Sequence, residues 1–328
     1  MRRRDFIAGV GAFAASGLAA EQESSQMRRI GFLSGFPKNA PQAAASMAAF
    51  REGLKAAGLE EGRNIQIDTR WAGIDPEVTR SQARELIALK PDVIVASTNQ
   101  VVSIVMQETS SIPIVFVFIG DPIGSGYATV LAKPGKNLTG FANFEAPIGG
   151  KWLELLAEIS PQTKRVGFLH HPAVNAHTEF LLAARASAPS FGQELVAIPV
   201  TNLAEIESGV STFAVAGEHG GVVVPPHALT VGASGVITEM ATRHRLPGVY
   251  GDRIFTERGG LLSFGINPHD QHKRAADYVR RILNGEKAAE LPVQLPSKYE
   301  MIVNVKTAHI FGLNVPPTLL ARADEVIE

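Results

Sequence analysis

The chain has 328 residues, 45% hydrophobic and 19% charged, a composition that excludes a disordered or fibrous protein and is enough for two lobes, each with its own core. Its formal charge is −1, or −3 once the three Arg and one Asp of residues 1–20 are set aside, so it offers no basic face for nucleic acid. With no Cys, it has no disulfides, thiol chemistry, thiolate metal sites or lipid-bearing cysteine.

The first element in chain order is an export signal. Arg2-Arg3-Arg4, a soft apolar run from Phe6 to Ala20 and the small pair Ala19-Ala20 make its three parts. The run falls short of the roughly 20 apolar residues that cross a bilayer. Arg3-Arg4-x-Phe6-Ile7 resembles the core of a twin-arginine signal, with Ala8 where that pattern has Lys, and export in unfolded form is the alternative route. Cleavage is expected near Ala19 or Ala20, releasing an unanchored, non-spanning, periplasmic protein.

Beyond Met27, β-rich and helix-like segments alternate. The expected strands are Arg29–Ser34, Asn64–Trp71, Asp92–Ser97, Ile112–Ile119 and Leu138–Phe144, then Arg165–His170, Glu194–Val200, Gly221–Val224, Gly248–Gly251 and Leu261–Ile266. Runs such as Val93-Ile94-Val95 and Val222-Val223-Val224 are apolar throughout, as strands are when helices cover both faces of a parallel sheet. The alternation predicts an α/β fold of two Rossmann-like lobes joined by a multi-strand hinge. Arg29-Ile30-Gly31-Phe32-Leu33 recurs as Arg165-Val166-Gly167-Phe168-Leu169, and each copy opens about five βα units. Residues 28–142 plus about 268–290 are expected to form the N-terminal lobe, and 143–267 plus about 291–328 the C-terminal lobe. A helix is expected over Pro268–Leu283, ended by Asn284-Gly285, and a last strand at Tyr299–Val305.

Several motifs run through this frame: Gly120-Asp121-Pro122, Asn137-Leu138-Thr139-Gly140, Pro296-Ser297-Lys298-Tyr299-Glu300-Met301-Ile302-Val303-Asn304, Leu313-Asn314-Val315-Pro316-Pro317 and Leu320-Ala321-Arg322-Ala323-Asp324-Glu325. With them the chain resembles, from end to end, the periplasmic substrate-binding proteins of ABC transporters related to the tryptophan/tyrosine-binding type. The resemblance implies the type I periplasmic binding protein fold and a small polar ligand in the interlobe cleft, an aromatic amino acid by likeness. It also implies delivery to an inner-membrane ABC permease with its ATPase. No cofactor is implied, and the protein is expected to be a monomer. A sensory receptor for a membrane signalling protein and an exported α/β enzyme are the alternatives.

In open parallel sheets, ligands sit beyond the carboxyl ends of the strands. That rule nominates Ser34, Thr98, Asn99, Gly120 and Asp121 in the first lobe, and His170, Asn175, His227, Tyr250 and Phe264 in the second. Thr98 and Asn99 suit a carboxylate or a plain helix cap, and Asp121 suits an ammonium or an Asp-Pro turn. His170-His171 replaces an Asn-Pro-rich stretch of the resembled family and suits an anion, a ring or a metal; no metal is expected. Tyr250 and Phe264 are expected to offer rings, ahead of Phe36 and Trp71. His269-Asp270-Gln271-His272 is expected to face water. No catalytic signature is complete: Gly9-Val10-Gly11-Ala12-Phe13-Ala14 follows no strand, Gly124-Ser125-Gly126 lacks its third glycine, and Lys136 has Val130 where a phosphate loop opens on Gly.

Overall fold

The computed structural model describes residues 27–296 and 298–328; residues 1–20, expected to be an export signal, lie outside them. The first half runs β1 (Arg28–Ser34), α1 (Pro41–Ala56), β2 (Ile65–Trp71), α2 (Pro76–Ala88), β3 (Val93–Ser97), α3 (Asn99–Glu108), β4 (Ile114–Gly120) and β5 (Leu138–Phe144). Its strands form one parallel sheet in the order β2-β1-β3-β4-β5. Every residue of β3, β4 and β5 is buried, which is why these strands read as unbroken apolar runs.

The second half runs α4 (Ile148–Ile159), β6 (Arg165–His170), α5 (Asn175–Ser187), β7 (Glu194–Pro199), α6 (Leu203–Val215), β8 (Gly220–Val224), α7 (Ala228–Gly232), α8 (Ser234–Arg243), β9 (Gly248–Tyr250), α9 (Ile254–Glu257) and β10 (Leu262–Gly265). It continues through α10 (Pro268–Leu283), β11 (Glu300–Asn304), α11 (Val305–Ile310), α12 (Pro317–Leu320) and β12 (Glu325–Ile327). Its sheet has the order β12-β11-β10-β9-β8-β6-β7, parallel except where β11 runs against β10. β11 is the last strand expected at Tyr299–Val305, whereas its antiparallel direction and the short β12 are not evident from the βα alternation, because both follow the chain's return from the first sheet.

Each sheet has its own core. In the second, Trp152 is fully buried and meets Phe180 edge to face at 5.6 Å, while its Nε1 donates to the Phe264 carbonyl at 2.8 Å. In the first, α10 returns from the second sheet to lie against α1. Gly53 permits that approach, since a Cβ there would sit 2.2 Å from the Lys273 carbonyl oxygen. The chain then follows the open edge of β5: Ala142 N–H donates to the Gln294 carbonyl at 2.8 Å, and Gln294 N–H to that of Gly140 at 2.9 Å. Residues 291–295 therefore pack on the first sheet rather than with the second, as they satisfy backbone groups on an edge strand.

The chain bends sharply at the end of β4. Its register with β5 shifts between Phe116 and Gly120, and Phe118 has φ of 59°, a conformation that a bulky side chain rarely adopts. Gln271 of α10 holds this bulge. Its Oε1 accepts from Phe118 N–H at 3.0 Å and its Nε2 donates to the Ala142 carbonyl at 2.7 Å. This corrects the expectation that 269–272 faces water: Gln271 and His272 are buried because α10 covers the first sheet. Replacing Gln271 with Leu strands two buried backbone groups, and the expected loss is about 2–4 kcal/mol in urea unfolding of the ligand-free protein.

Candidate functional site

The carboxyl ends of the two sheets meet. Gly120 at the end of β4 lies so close to α5 that a Cβ would sit 2.7 Å from Ala176 Cβ and 3.3 Å from Phe180 Cζ. Between the sheets is a cavity of about 160 Å³. Phe36, Phe118 and Ile254 form its apolar wall, with the two Phe rings edge to face at 5.6 Å. Its polar lining includes Gln42, Ser46, Asp252, Arg253 and His269. Phe118 also walls a second space of about 20 Å³, bordered by Thr98, Asn99, Asn143, His177 and His227. That volume has room for about one water.

The first-lobe residues nominated from sequence gather here, most of them in backbone roles. Ser34 Oγ accepts from Phe36 N–H at 3.1 Å and so shapes the turn that presents Phe36. Thr98 has φ of 84° and ψ of 150° and makes no side-chain cap bond, which sets the capping alternative aside. Its Oγ1 occupies the space a Cβ at Gly35 would need. Asn99 clamps Gly120, donating to its carbonyl at 3.0 Å and accepting its N–H at 3.1 Å. Asp121 accepts from Gly124 N–H at 2.9 Å in a turn and borders neither cavity. Thr98, Phe118 and Asp121 are all non-glycine residues with positive φ, a concentration of backbone strain at one place.

The second-lobe nominees divide. His227 borders the smaller cavity. Asn175, at the exposed start of α5, donates to the Gly124 carbonyl at 2.9 Å, tying the two halves at the rim. His170 is half-buried and borders neither cavity. The expectation for Tyr250 is corrected: it is 1% exposed and stacks on Phe255 at 4.7 Å inside the core. Phe264 stacks on Tyr299 at 5.3 Å and lines neither space. Phe36 supplies a cavity ring instead, because it follows a turn past the strand rather than standing on an inward face. Gln42, Phe118, Asn143 and His177 carry no sequence signal, and His269 is among the residues expected to face water; helix packing and the β4 bulge bring all five to the site.

A set of imidazoles underlies the second lobe's side. The His171 ring lies 4.9 Å from that of His227, and the His177 ring 5.5 Å from it. Each Nδ1 accepts a backbone N–H: Ala173 to His171 at 3.3 Å, His171 to His177 at 3.0 Å, and Leu229 to His227 at 3.3 Å. These bonds need the neutral ring with its proton on Nε2. Burial pushes the His177 imidazole down to about 4 and holds His227 well below the usual range. Among the described residues, no group of three or more His, Asp or Glu is arranged to hold a metal ion.

Asp252 follows β9 and is 6% exposed. Its Oδ1 accepts from Ile254 N–H at 2.9 Å, and no cation pairs with it among the described residues. Burial pushes its carboxyl up to about 6.

Two α/β lobes whose strand ends close on a cavity define the type I periplasmic binding protein class, and solved structures agree. A conserved domain protein from Vibrio cholerae has a TM-score of 0.85 at 26% identity, covering 92% of this chain and all of that one. An ABC domain in complex with L-Trp from Streptococcus pneumoniae also scores 0.85, at 23% identity and with the same coverage. The ligand-free, open structure of a substrate-binding protein with adhesive properties from Clostridium difficile scores 0.68 at 26% identity, covering 92% and 99%. The chain belongs to the ABC transporter substrate binding protein family, whose pattern matches residues 39–327. A tyrosine-binding protein of Clostridioides difficile (strain R20291) is 25% identical over 259 residues, 79% of this chain and 74% of that protein. The family is one of binding proteins rather than enzymes, and it works outside the cytoplasm. Among the described residues no helix is long and apolar enough to cross a membrane.

The titrations of His177 and Asp252 have opposite signs. His177 sits below its ordinary 6.5, so the stability it contributes is complete above pH 6.5 and is lost as pH falls towards 4. His177→Gln is expected to flatten that loss, read as urea stability between pH 4 and 7. Asp252 sits above its ordinary 3.8, so its contribution is complete below about pH 4 and is lost as pH rises through 6. Asp252→Asn is expected to stabilise the ligand-free protein by about 3 kcal/mol at pH 8, with no gain at pH 4.

Proposed function

We propose that this protein is the ligand-capturing receptor of an ABC importer, trapping a small polar molecule between its lobes and presenting the closed form to an inner-membrane permease with its ATPase. The observation that carries this reading is the cavity of about 160 Å³, which takes walls from both halves of the chain. A ligand filling it touches Phe36 and Phe118 on one side and Asp252 and Ile254 on the other, so it binds the closed state in preference to the open one. Turning a mostly open population into a mostly closed one takes about 5.5 kcal/mol of such differential affinity. Burying a ring against two Phe side chains, with hydrogen bonds of about 1 kcal/mol each, is of that order.

The ligand class we favour is the aromatic amino acids. Support comes from the relative named for tyrosine binding and from the edge-to-face Phe pair, whose geometry suits a third ring. Ser34, Thr98, Asn99 and Gly120 shape the first lobe's surface, and His227 and Asn175 face it from the second; Asp121, His170, Tyr250 and Phe264 are left out of the contact set. In this reading, residues 1–20 direct export and are cleaved near Ala19 or Ala20. The monomer is then released to the periplasm unanchored, with the hinge formed where the chain crosses between lobes.

Thermal shift with L-tyrosine, L-tryptophan, L-phenylalanine and a panel of sugars, polyols and carboxylates tests the reading. A ligand at 100 times its Kd adds about 2.7 kcal/mol. Gly120→Ala is expected to weaken ligand binding at least tenfold in calorimetry with little change in ligand-free stability, because its methyl group opposes closure against Ala176. Unchanged affinity in that variant, or no stabilisation by any member of the panel, counts against capture by closure.

A further inference from the structure

The links between the lobes converge on one aromatic stack. The first link, residues 145–147, leaves β5 just after Phe144, and the second, residues 266–267, leaves β10 just past Phe264. The third runs from Gln294, bonded to β5, to Glu300 at the start of β11, and carries Tyr299. The Tyr299 ring stacks on Phe264 at 5.3 Å and 25°, and on Phe144 at 5.9 Å and 21°. Each link therefore gives a ring to the same stack. Phe144 and Phe264 are both fixed by Trp152 of α4: the indole meets the Phe144 ring edge to face at 5.6 Å, and its Nε1 donates to the Phe264 carbonyl at 2.8 Å. Tyr299 is half-buried, and its hydroxyl makes no hydrogen bond to a described residue. Ring faces alone hold that side chain to the other two links.

We propose that Tyr299 is the pivot of the interlobe hinge: its ring clasps the third link to the other two, so that the lobes turn about one point. This rests on the solute-receptor reading above, in which closure captures the ligand, and adds where that motion is centred. Links spread across an interface hold two bodies rigidly, whereas links gathered at one place leave rotation about it free and oppose sliding. Without the clasp, the third link moves independently and the lobes sample many relative orientations. Tyr299 borders neither cavity, so it is a positioning residue and not a ligand contact. Phe144 carries its influence to the cleft, since that ring also borders the smaller cavity. A second tie lies beside the stack, from Asn267 Nδ2 to Glu300 at 3.3 Å, and joins the second link to the end of the third. Stacked faces tolerate small lateral offsets that a directional hydrogen bond does not, which suits them to the centre of a moving joint.

The test exploits the absence of Cys. Val78→Cys in α2 and Leu203→Cys in α6 place spin labels at exposed positions after β2 and β7, the edge strands farthest from the links. Double electron–electron resonance then reads the interlobe distance in the ligand-free protein. Tyr299→Phe, which keeps the ring faces, is expected to match wild type. Tyr299→Leu is expected to keep a cooperative urea transition and to broaden the distance distribution at least twofold. Phe264→Leu, which removes a partner ring, is expected to broaden it likewise and decides the matter should Tyr299→Leu fail to fold. Phe213→Leu, a core change away from the links, is expected to lower urea stability without broadening. An unchanged distribution in the folded Tyr299→Leu protein overturns the assignment; so does equal broadening in Tyr299→Phe or Phe213→Leu. The same labels, with L-tyrosine and the rest of the solute panel added, test the reading beneath it. If no solute changes the wild-type distances, capture by closure fails, while broadening in ligand-free Tyr299→Leu still upholds the pivot.

Discussion

The site depends on how the last turn of β4 is held. Backbone from Phe118 to Asp121 leaves regular strand geometry, and two side chains distant in sequence hold it there: Gln271 from α10 and Asn99 from α3. Each uses both ends of its amide on backbone groups, so the bulge is anchored without either amide being left half-satisfied. The result places the Phe118 ring in the cavity and leaves Gly120 bare against α5. Side-chain positions elsewhere in the cleft follow from these contacts. Strain of this kind persists only where surrounding structure over-determines it, and here it does.

Around that turn the two halves contribute different chemistry. The first supplies shape, through Phe36, Phe118 and the Thr98–Asn99 corner at the start of α3. The second supplies polarity, through Asp252 and the imidazoles of His171, His177 and His227. The imidazoles are neutral, with each Nδ1 accepting a backbone amide, so they act as fixed dipoles rather than charges. Asp252 is the opposite case, a buried carboxylate with one backbone hydrogen bond and no ion pair among the described residues.

The crossings matter as much as the lobes. Because α10 and residues 291–295 pack on the first sheet before the chain re-enters the second as β11, the halves are joined by several segments rather than one. Several crossing segments restrict how the halves can shear past each other more than a single linker does. Asn175 on Gly124 shows where the rim meets, and the approach of Gly120 to Ala176 shows how little clearance separates the halves there.

The sequence alone was enough to specify the βα alternation, the strand cores, the helix over Pro268–Leu283 and the family, because these rest on local periodicity and short motifs. It also located the strand ends, and Thr98, Asn99, Gly120 and His227 border the smaller cavity beside them. It could not tell Tyr250 from Phe36, since both are aromatics near a strand end. Which one meets the cleft depends on which side of the pleat the first occupies and how the turn at Ser34 aims the second. Nor could it reveal Gln271, which looks like a solvent-facing residue until α10 is seen to cross to the other lobe. Local pattern determines which residues are buried. Only the tertiary structure decided what they are buried against, and thus that Asp252 stands without a counter-charge in a cavity shared by both lobes.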